Sequence, residues 1–118
     1  MSKKELNELI ERIKINEGYV KKIEEIYGSI PLEVMKLLSY KDNKMFIGDW
    51  RVVSKSEVLD SVKAIHVDFA SENLVPVIDT MDNDYICYDL KGKQWTYYNI
   101  VDNVKFKAKR HINDYLLD

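Results

Sequence analysis

The stretch from residue 75 to residue 98 constrains the fold of this chain more than any other feature, because it predicts paired antiparallel strands. Residues 74–79 are an apolar run, and residues 80–83 supply the polar side chains of a turn. Residues 84–90 alternate, which is typical of a strand with two different faces. The alternation places two sets of side chains on opposite faces, namely Tyr85 and Cys87 on one and Ile86, Tyr88 and Leu90 on the other.

A tight turn at Lys91 and Gly92 is predicted to reverse the chain again, with the glycine supplying a positive φ. Residues 94–100 then form an aromatic strand, and residues 104–106 a shorter one. Shorter strands are also expected at residues 45–47 and 50–53, after a polar break at residues 41–44. We therefore expect the core of the fold to be an antiparallel sheet.

Helices are predicted on both sides of these strands. Ser2 with Glu5 is a capping-box pattern that begins a first helix, which we expect to end at Gly18. Gly28 ends a second helix over residues 19–27, and Pro31 opens a short third one that buries a set of apolar side chains. That set is Val34, Leu37 and Leu38.

A second capping box predicts one more helix inside the sheet-rich part of the chain. Ser54 with Glu57 begins it, and it runs to about Val62. The last residues suit a closing helix. The expectation is a single α+β domain over residues 1–118, with a helical part at about 1–39, a sheet-rich part at about 43–106 and a closing helix at about 110–117.

Composition restricts the classes of function. The chain has 118 residues, and its 46% apolar and 32% charged residues fit one globular domain. Its net charge of −2 gives no electrostatic reason to expect nucleic acid or an anionic membrane as a partner. The start of the chain lacks the apolar segment of a signal peptide, and no apolar run approaches the ~20 residues that span a bilayer. With a single cysteine and no disulfide, a cytoplasmic location is expected.

The tightest acidic cluster, Asp79, Asp82 and Asp84, lies at the turn between the two best strands. A calcium loop is one interpretation, but Tyr85 stands where an EF-hand loop needs glycine. Solvated turn caps are a second interpretation, and an acidic edge that binds a protein is a third. We predict no metal and no cofactor.

The residue types of a catalytic site occur without the expected arrangement. Cys87 could in principle pair with His66 or His111, but it lies in the middle of a strand beside acidic residues, which favours a buried, inert thiol. The chain has no phosphate-binding glycine loop and no nucleophile or zinc motif. The sequence therefore predicts a protein that is not an enzyme.

A basic cluster and the aromatic residues each leave two interpretations open. The basic cluster consists of Lys105, Lys107, Lys109 and Arg110. It is either a patch that binds nucleic acid or, as we prefer, part of an edge strand that its lysines protect from aggregation. Trp50 and Trp95, with Tyr97 and Tyr98, are either anchors for a partner or part of the core of the sheet.

Several stretches, read in order, resemble the SUKH superfamily, the Smi/Knr-like proteins. A helix end and a proline-initiated short helix come first, then a strand with a short helix, then a proline-containing hairpin that is the most specific match. These stretches are residues 23–28 with Ile30 and Pro31, residues 50–54 with 57–59, and residues 74–79 with 82–89. The resemblance covers about residues 20–117.

The resemblance implies an α+β fold used as a protein-binding module. Many bacterial members of the superfamily are immunity proteins that neutralise a toxin, often a nuclease, encoded nearby. For this chain it implies a cognate protein toxin as partner, which a set of acidic and aromatic side chains would contact: Asp79, Asp82, Asp84, Asp89, Trp50 and Trp95. A general regulatory module of the same fold and a domain that binds a small ligand are the alternatives, and an unpaired sheet edge could form a homodimer.

Overall fold

The computed structural model describes residues 1–40 and 49–116, so the expected polar break at residues 41–44 and the strand at 45–47 lie outside the described residues. The described elements, in chain order, are α1 (Lys3–Arg12), α2 (Glu17–Tyr27), α3 (Leu32–Leu38), β1 (Arg51–Val52), α4 (Lys55–Leu59), α5 (Ser61–Ile65), β2 (Leu74–Asp79), β3 (Asp84–Asp89), β4 (Gln94–Asn99), β5 (Val104–Lys109) and a 3-10 turn (Ile112–Tyr115). The prediction of an α+β fold with an antiparallel sheet is confirmed.

The five described strands form one antiparallel sheet in which each strand pairs with the next along the chain, in the order β1-β2-β3-β4-β5. β3 and β4 pair without interruption from Asp84 opposite Asn99 to Asp89 opposite Gln94. One bulge interrupts the β2–β3 pairing and another the β4–β5 pairing. Bulges bend a strand and re-aim its side chains.

Both faces of the central strands are covered. Cys87 and Ile86 are neighbours on β3 with side chains on opposite faces, and neither is exposed. Phe69, in the loop before β2, makes an edge contact with the ring of Tyr85, on the face that holds Cys87. On the other face, Tyr115 packs against the ring of Tyr97. Residues outside the sheet therefore pack on both faces of the central strands, and the strand core is apolar on both sides.

The capping boxes form as predicted, but the first helix ends earlier than expected. Ser2 caps α1, and Ser54 with Glu57 caps α4. The prediction that Gly18 ends the first helix was wrong: α1 ends at Arg12, and Gly18 lies in the first turn of α2. The side chain of Asn16 accepts a hydrogen bond from the Tyr19 amide and starts the new helix, so asparagine capping overrides the glycine signal.

The two turn glycines have different physical roles. Gly28 ends α2 with a φ of 88°, as predicted. At the β3–β4 turn the positive φ belongs to Lys93, at 53°, and the prediction for Gly92 was wrong. A Cβ atom at Gly92 would lie 2.8 Å from Asp89 Oδ2. Glycine is needed there because the backbone approaches a carboxylate closely.

The end of the described chain is a single 3-10 turn, shorter than the expected closing helix. Ile112 within it is buried, and its amide donates a hydrogen bond of 3.0 Å to Glu33 Oε1 on α3. The hydroxyl of Tyr115 donates one of 2.7 Å to the carbonyl of Lys107 on β5. These bonds attach the turn to α3 and to the last strand of the sheet.

Candidate functional site

An open concavity of about 710 Å³ lies where the β2–β3 turn meets the end of β4 and the middle of β5. We call it the aromatic–acidic concavity. Its lining has three aromatic side chains and three carboxylates: Trp50, Tyr97 and Phe106, and Asp49, Asp82 and Asp84. Thr80, Met81 and Lys107 complete the lining.

The three aromatic side chains contact one another around Tyr97. Its ring centroid is 6.3 Å from that of Trp50, in an edge-on arrangement, and 5.1 Å from that of Phe106. All three are half-buried. Register explains the cluster, because Tyr97 and Phe106 are direct partners in the β4–β5 pairing and share one face of the sheet. Such packed, partly exposed aromatic groups are typical of anchor positions in interfaces.

The carboxylates differ in how firmly they are held. Asp82 and Asp49 are exposed. Asp84 is half-buried, and its Oδ1 accepts a hydrogen bond of 2.9 Å from the side-chain amide of Asn99. Burial, and secondly the negative charge of Asp84, raise the pKa of Tyr97, so its phenol stays neutral.

The β2–β3 turn is fixed by an ion-pair network that begins on α4. Arg51 makes two hydrogen bonds to Glu57, of 2.7 and 2.8 Å, and a third of 2.7 Å to Asp79 Oδ2. The other oxygen of Asp79 accepts a hydrogen bond of 2.8 Å from the Met81 amide. Charge-assisted bonds of this kind are the strong ones in proteins. The network therefore links α4, β1 and β2 to the turn that lines the concavity.

Met81 stands out at the tip of this turn. Its side chain is 55% exposed, and its φ of 67° lies in the left-handed region, which a bulky side chain seldom adopts. Such strain persists where the surroundings hold it in place, and here the Met81 amide donates a hydrogen bond to Asp79 Oδ1. The turn thus presents an apolar side chain beside two carboxylates, Asp82 and Asp84.

The structure separates the six predicted contact residues into two groups. Trp50, Asp82 and Asp84 come together at the concavity. Trp95 is 1% exposed and lies in the core, which excludes it as a surface anchor. Asp79 is held by Arg51, and Asp89 accepts hydrogen bonds from the amides of Lys91 and Gly92. The side chains of Trp95, Asp79 and Asp89 are therefore buried within the fold, and none of them lines the concavity.

Six lining residues were missing from the predicted contact set. They are Asp49, Thr80, Met81, Tyr97, Phe106 and Lys107. Phe106 stands between two lysines in a strand that is otherwise exposed, and an isolated aromatic residue in such a strand is the one signal that could have identified it. The others depend on the turn and bulge geometry.

Cys87 and the histidines lie apart from the concavity. Cys87 is fully buried on β3, as predicted, and burial raises the pKa of its thiol well above the usual value. His66 ends α5 with a φ of 58°, and both His66 and His111 are exposed. In residues 1–40 and 49–116, no group of three or more His, Cys, Asp or Glu side chains has the proximity to hold a metal ion.

β5 lies at one edge of the sheet, as the lysine pattern predicted. Its lysines are exposed, and the carbonyl of Lys107, in its bulge, accepts a hydrogen bond from the hydroxyl of Tyr115. Lysines and bulges both disfavour the addition of another strand. A homodimer through a sheet edge stays a prediction.

Comparison of the chain with protein-family models, with functionally characterised proteins and with solved structures finds no match. Among residues 1–40 and 49–116, no helix has the length and apolar character to cross a membrane. The SUKH relationship and the toxin partner accordingly stay predictions from the sequence pattern. The concavity is the structural feature from which a function can be argued.

Proposed function

We propose that this protein is a non-catalytic binding module that neutralises a cognate protein toxin by covering part of its surface, with the aromatic–acidic concavity as the contact site. The observation that carries the proposal is the shared position of three half-buried aromatic rings and three carboxylates on one open surface. A few residues supply most of the binding energy of an interface, and tryptophan and tyrosine are enriched among them, while surrounding charges steer the encounter.

The toxin is proposed to be a nuclease with a basic active-site surface. Proteins that act on nucleic acid carry lysine and arginine side chains to contact phosphates. An acidic rim of Asp49, Asp82 and Asp84 complements such a surface. The resemblance of residues 20–117 to the SUKH superfamily supports the same role, and a cytoplasmic location is part of the proposal.

The test is co-expression with the toxin domain encoded beside this gene. We expect the wild-type chain to relieve growth arrest and to form a complex that survives purification. The variant Asp49→Lys/Asp82→Lys reverses two charges of the acidic rim and should neither relieve growth arrest nor form the complex. Both side chains are exposed, so their replacement leaves the core intact. Arrest that the wild-type chain does not relieve, with no complex formed, would refute toxin neutralisation.

A matched control is available on the helices. Glu8 on α1 and Glu25 on α2 are exposed and do not line the concavity. The variant Glu8→Lys/Glu25→Lys changes the net charge by the same amount as Asp49→Lys/Asp82→Lys. It should relieve growth arrest like the wild type, and equal failure of both variants would mean that net charge, and not the concavity, determines binding.

One observation favours a second function, the binding of a small ligand. The volume of about 710 Å³ lies within the range of about 300–1,000 Å³ that is usual for ligand sites. Such sites bury most of their ligand, whereas this concavity is open and half of its lining is polar or charged. A thermal-shift survey with cationic and neutral metabolites tests this second function. A saturable rise in Tm that Trp50→Ala abolishes would favour a small ligand, whereas no rise in Tm would favour the protein partner.

A further inference from the structure

A cationic group from the chain itself already lies over the aromatic rings of the concavity. The Nζ atom of Lys107 is 5.4 Å from the ring centroid of Tyr97 and 6.0 Å from that of Phe106. These distances lie within the range at which the negative face of an aromatic ring attracts a cation. The rings of the concavity are therefore arranged to receive positive charge.

The position of Lys107 results from the bulge in β5. Trp95 and Tyr97 are two residues apart on β4, but their partners Lys109 and Phe106 are three apart, so β5 carries one extra residue. Lys107 sits in this bulge with a φ of 52°. In a regular strand it would point to the face opposite Phe106. The bulge instead brings its ammonium group over the rings.

The carboxylates of the concavity exceed this one cation. Asp49, Asp82 and Asp84 carry three negative charges, and Lys107 carries one positive charge. Within residues 1–40 and 49–116, the ion pairs of the structure join Arg51 and Lys105 to other carboxylates. Counted over the described residues, the concavity thus keeps a net negative charge beside aromatic faces, and this combination attracts a second cation.

We propose that the aromatic–acidic concavity is a subsite for an arginine side chain of the protein partner, and that Lys107 occupies the rings in the free protein and leaves them when the partner binds. Arginine is favoured over lysine because its planar guanidinium stacks on aromatic rings while donating hydrogen bonds to carboxylates, and it is more weakly hydrated. This inference rests on the proposed function for the nature of the partner, but the arginine subsite has its own test.

The test is a titration of the isotope-labelled protein with the peptide acetyl-Gly-Arg-Gly-amide, followed by NMR at the indole N–H of Trp50. A Trp50→Phe variant assigns this signal, and the buried Trp95 serves as an internal reference. The control peptide carries citrulline, which has nearly the shape of arginine without its charge. NMR is chosen because it detects the weak binding expected of a single side chain.

We expect a saturable shift of the Trp50 signal with the arginine peptide and none with the citrulline peptide. In Lys107→Met the competing ammonium is removed, so the arginine peptide should bind about two- to fivefold more tightly, the factor expected for one exposed cation–π contact. Asp49→Asn/Asp82→Asn should bind it more weakly than the wild type.

Two results would overturn the subsite. One is that both peptides shift the Trp50 signal equally, or that neither peptide shifts it, in the wild type and in Lys107→Met. The other is binding that Lys107→Met weakens, because Lys107 would then assist the ligand and not compete with it. Failure here is distinguishable from failure of the proposed function. If the chain relieves growth arrest but shows no arginine-specific shifts, only the subsite is refuted. If it shows arginine-specific shifts but does not relieve growth arrest, only toxin neutralisation is refuted.

Discussion

Replacement of Arg51 by methionine removes the centre of the network that joins α4 to the β2–β3 turn. The guanidinium is within 2.8 Å of two carboxylates, and its side chain is 27% exposed, against 11% for Glu57 and 13% for Asp79. Methionine retains much of the apolar stem and cannot pair with either carboxylate. The variant therefore leaves two mostly buried negative charges close together without a cation.

The cost follows from the burial of these groups. Loss of one partner from a buried ion pair costs about 3–5 kcal/mol, mainly because the remaining charge has lost its compensation. Partial exposure of Arg51 places the expected loss at the lower end, about 3 kcal/mol. With a urea slope of about 1.5 kcal/mol/M, the unfolding midpoint should fall by about 2 M. Arg12→Met on α1, an exposed arginine, is the matched control and should cost less than about 0.5 kcal/mol.

The loss should also depend on pH with a defined sign. Burial alone raises the pKa of Glu57, but the hydrogen bonds from Arg51 and Ser54 more than offset this and hold the pKa below its usual 4.5. A lowered pKa in the folded protein gives stability that is present above the unfolded pKa and is lost as the pH falls through the folded pKa. Without Arg51, burial raises the pKa of Glu57, and protonation then relieves the variant. The difference in stability should therefore be largest near pH 7 and shrink toward pH 4.

Urea unfolding followed by tryptophan fluorescence at pH 7, 5.5 and 4 measures both effects. A loss below about 1 kcal/mol at pH 7 would refute the assignment of Arg51 as the centre of a structural network. A loss that is constant or grows as the pH falls would refute the electrostatic explanation. In either case, an interaction other than the Arg51 network would have to hold the turn that presents Met81.

Two further predictions concern the buried Cys87 and the β3–β4 turn. The thiol of Cys87, which is fully buried and whose pKa burial raises, should react with a thiol reagent only as fast as the protein unfolds, and fast reaction of the native protein would contradict its position. Gly92→Ala should lower the free energy of unfolding by about 1–2 kcal/mol, since its Cβ would lie 2.8 Å from a buried Asp89 oxygen. Lys93→Gly in the same turn should instead raise it by about 0.5–1 kcal/mol, because glycine tolerates the φ of 53°. Chemical denaturation of both variants measures the pair, and a shared sign would contradict the assigned roles.

Features that depend on a few neighbouring residues could be predicted from the sequence. The capping boxes at Ser2 and Ser54 and the end of α2 at Gly28 are of this kind, because each cap is formed within one helical turn. The first helix was extended too far because the sequence contains two helix-end signals close together. Asn16 as an N-cap competes with Gly18 as a C-cap, and in the folded protein the Asn16 cap is the one that forms.

The candidate site could be predicted only in part. Trp50 and Trp95 are chemically the same, and which of them is exposed depends on what covers each face of the sheet. The aspartates differ in exposure for a similar reason. Asp79 is held inside the fold by an ion pair with Arg51, which lies 28 residues away in the chain. Lys107 reaches the concavity through a bulge, and no residue pattern in β5 specifies the position of that extra residue.

The most direct test of the concavity as a binding surface is the Kd of the purified chain for a toxin domain of the kind proposed as its partner. Three proteins should be compared by calorimetry: the wild type, Asp49→Lys/Asp82→Lys and the control Glu8→Lys/Glu25→Lys. We predict that the first double variant binds at least about tenfold more weakly, while the control binds like the wild type. Binding that reversal of both concavity carboxylates leaves unchanged would place the contact surface elsewhere on the molecule.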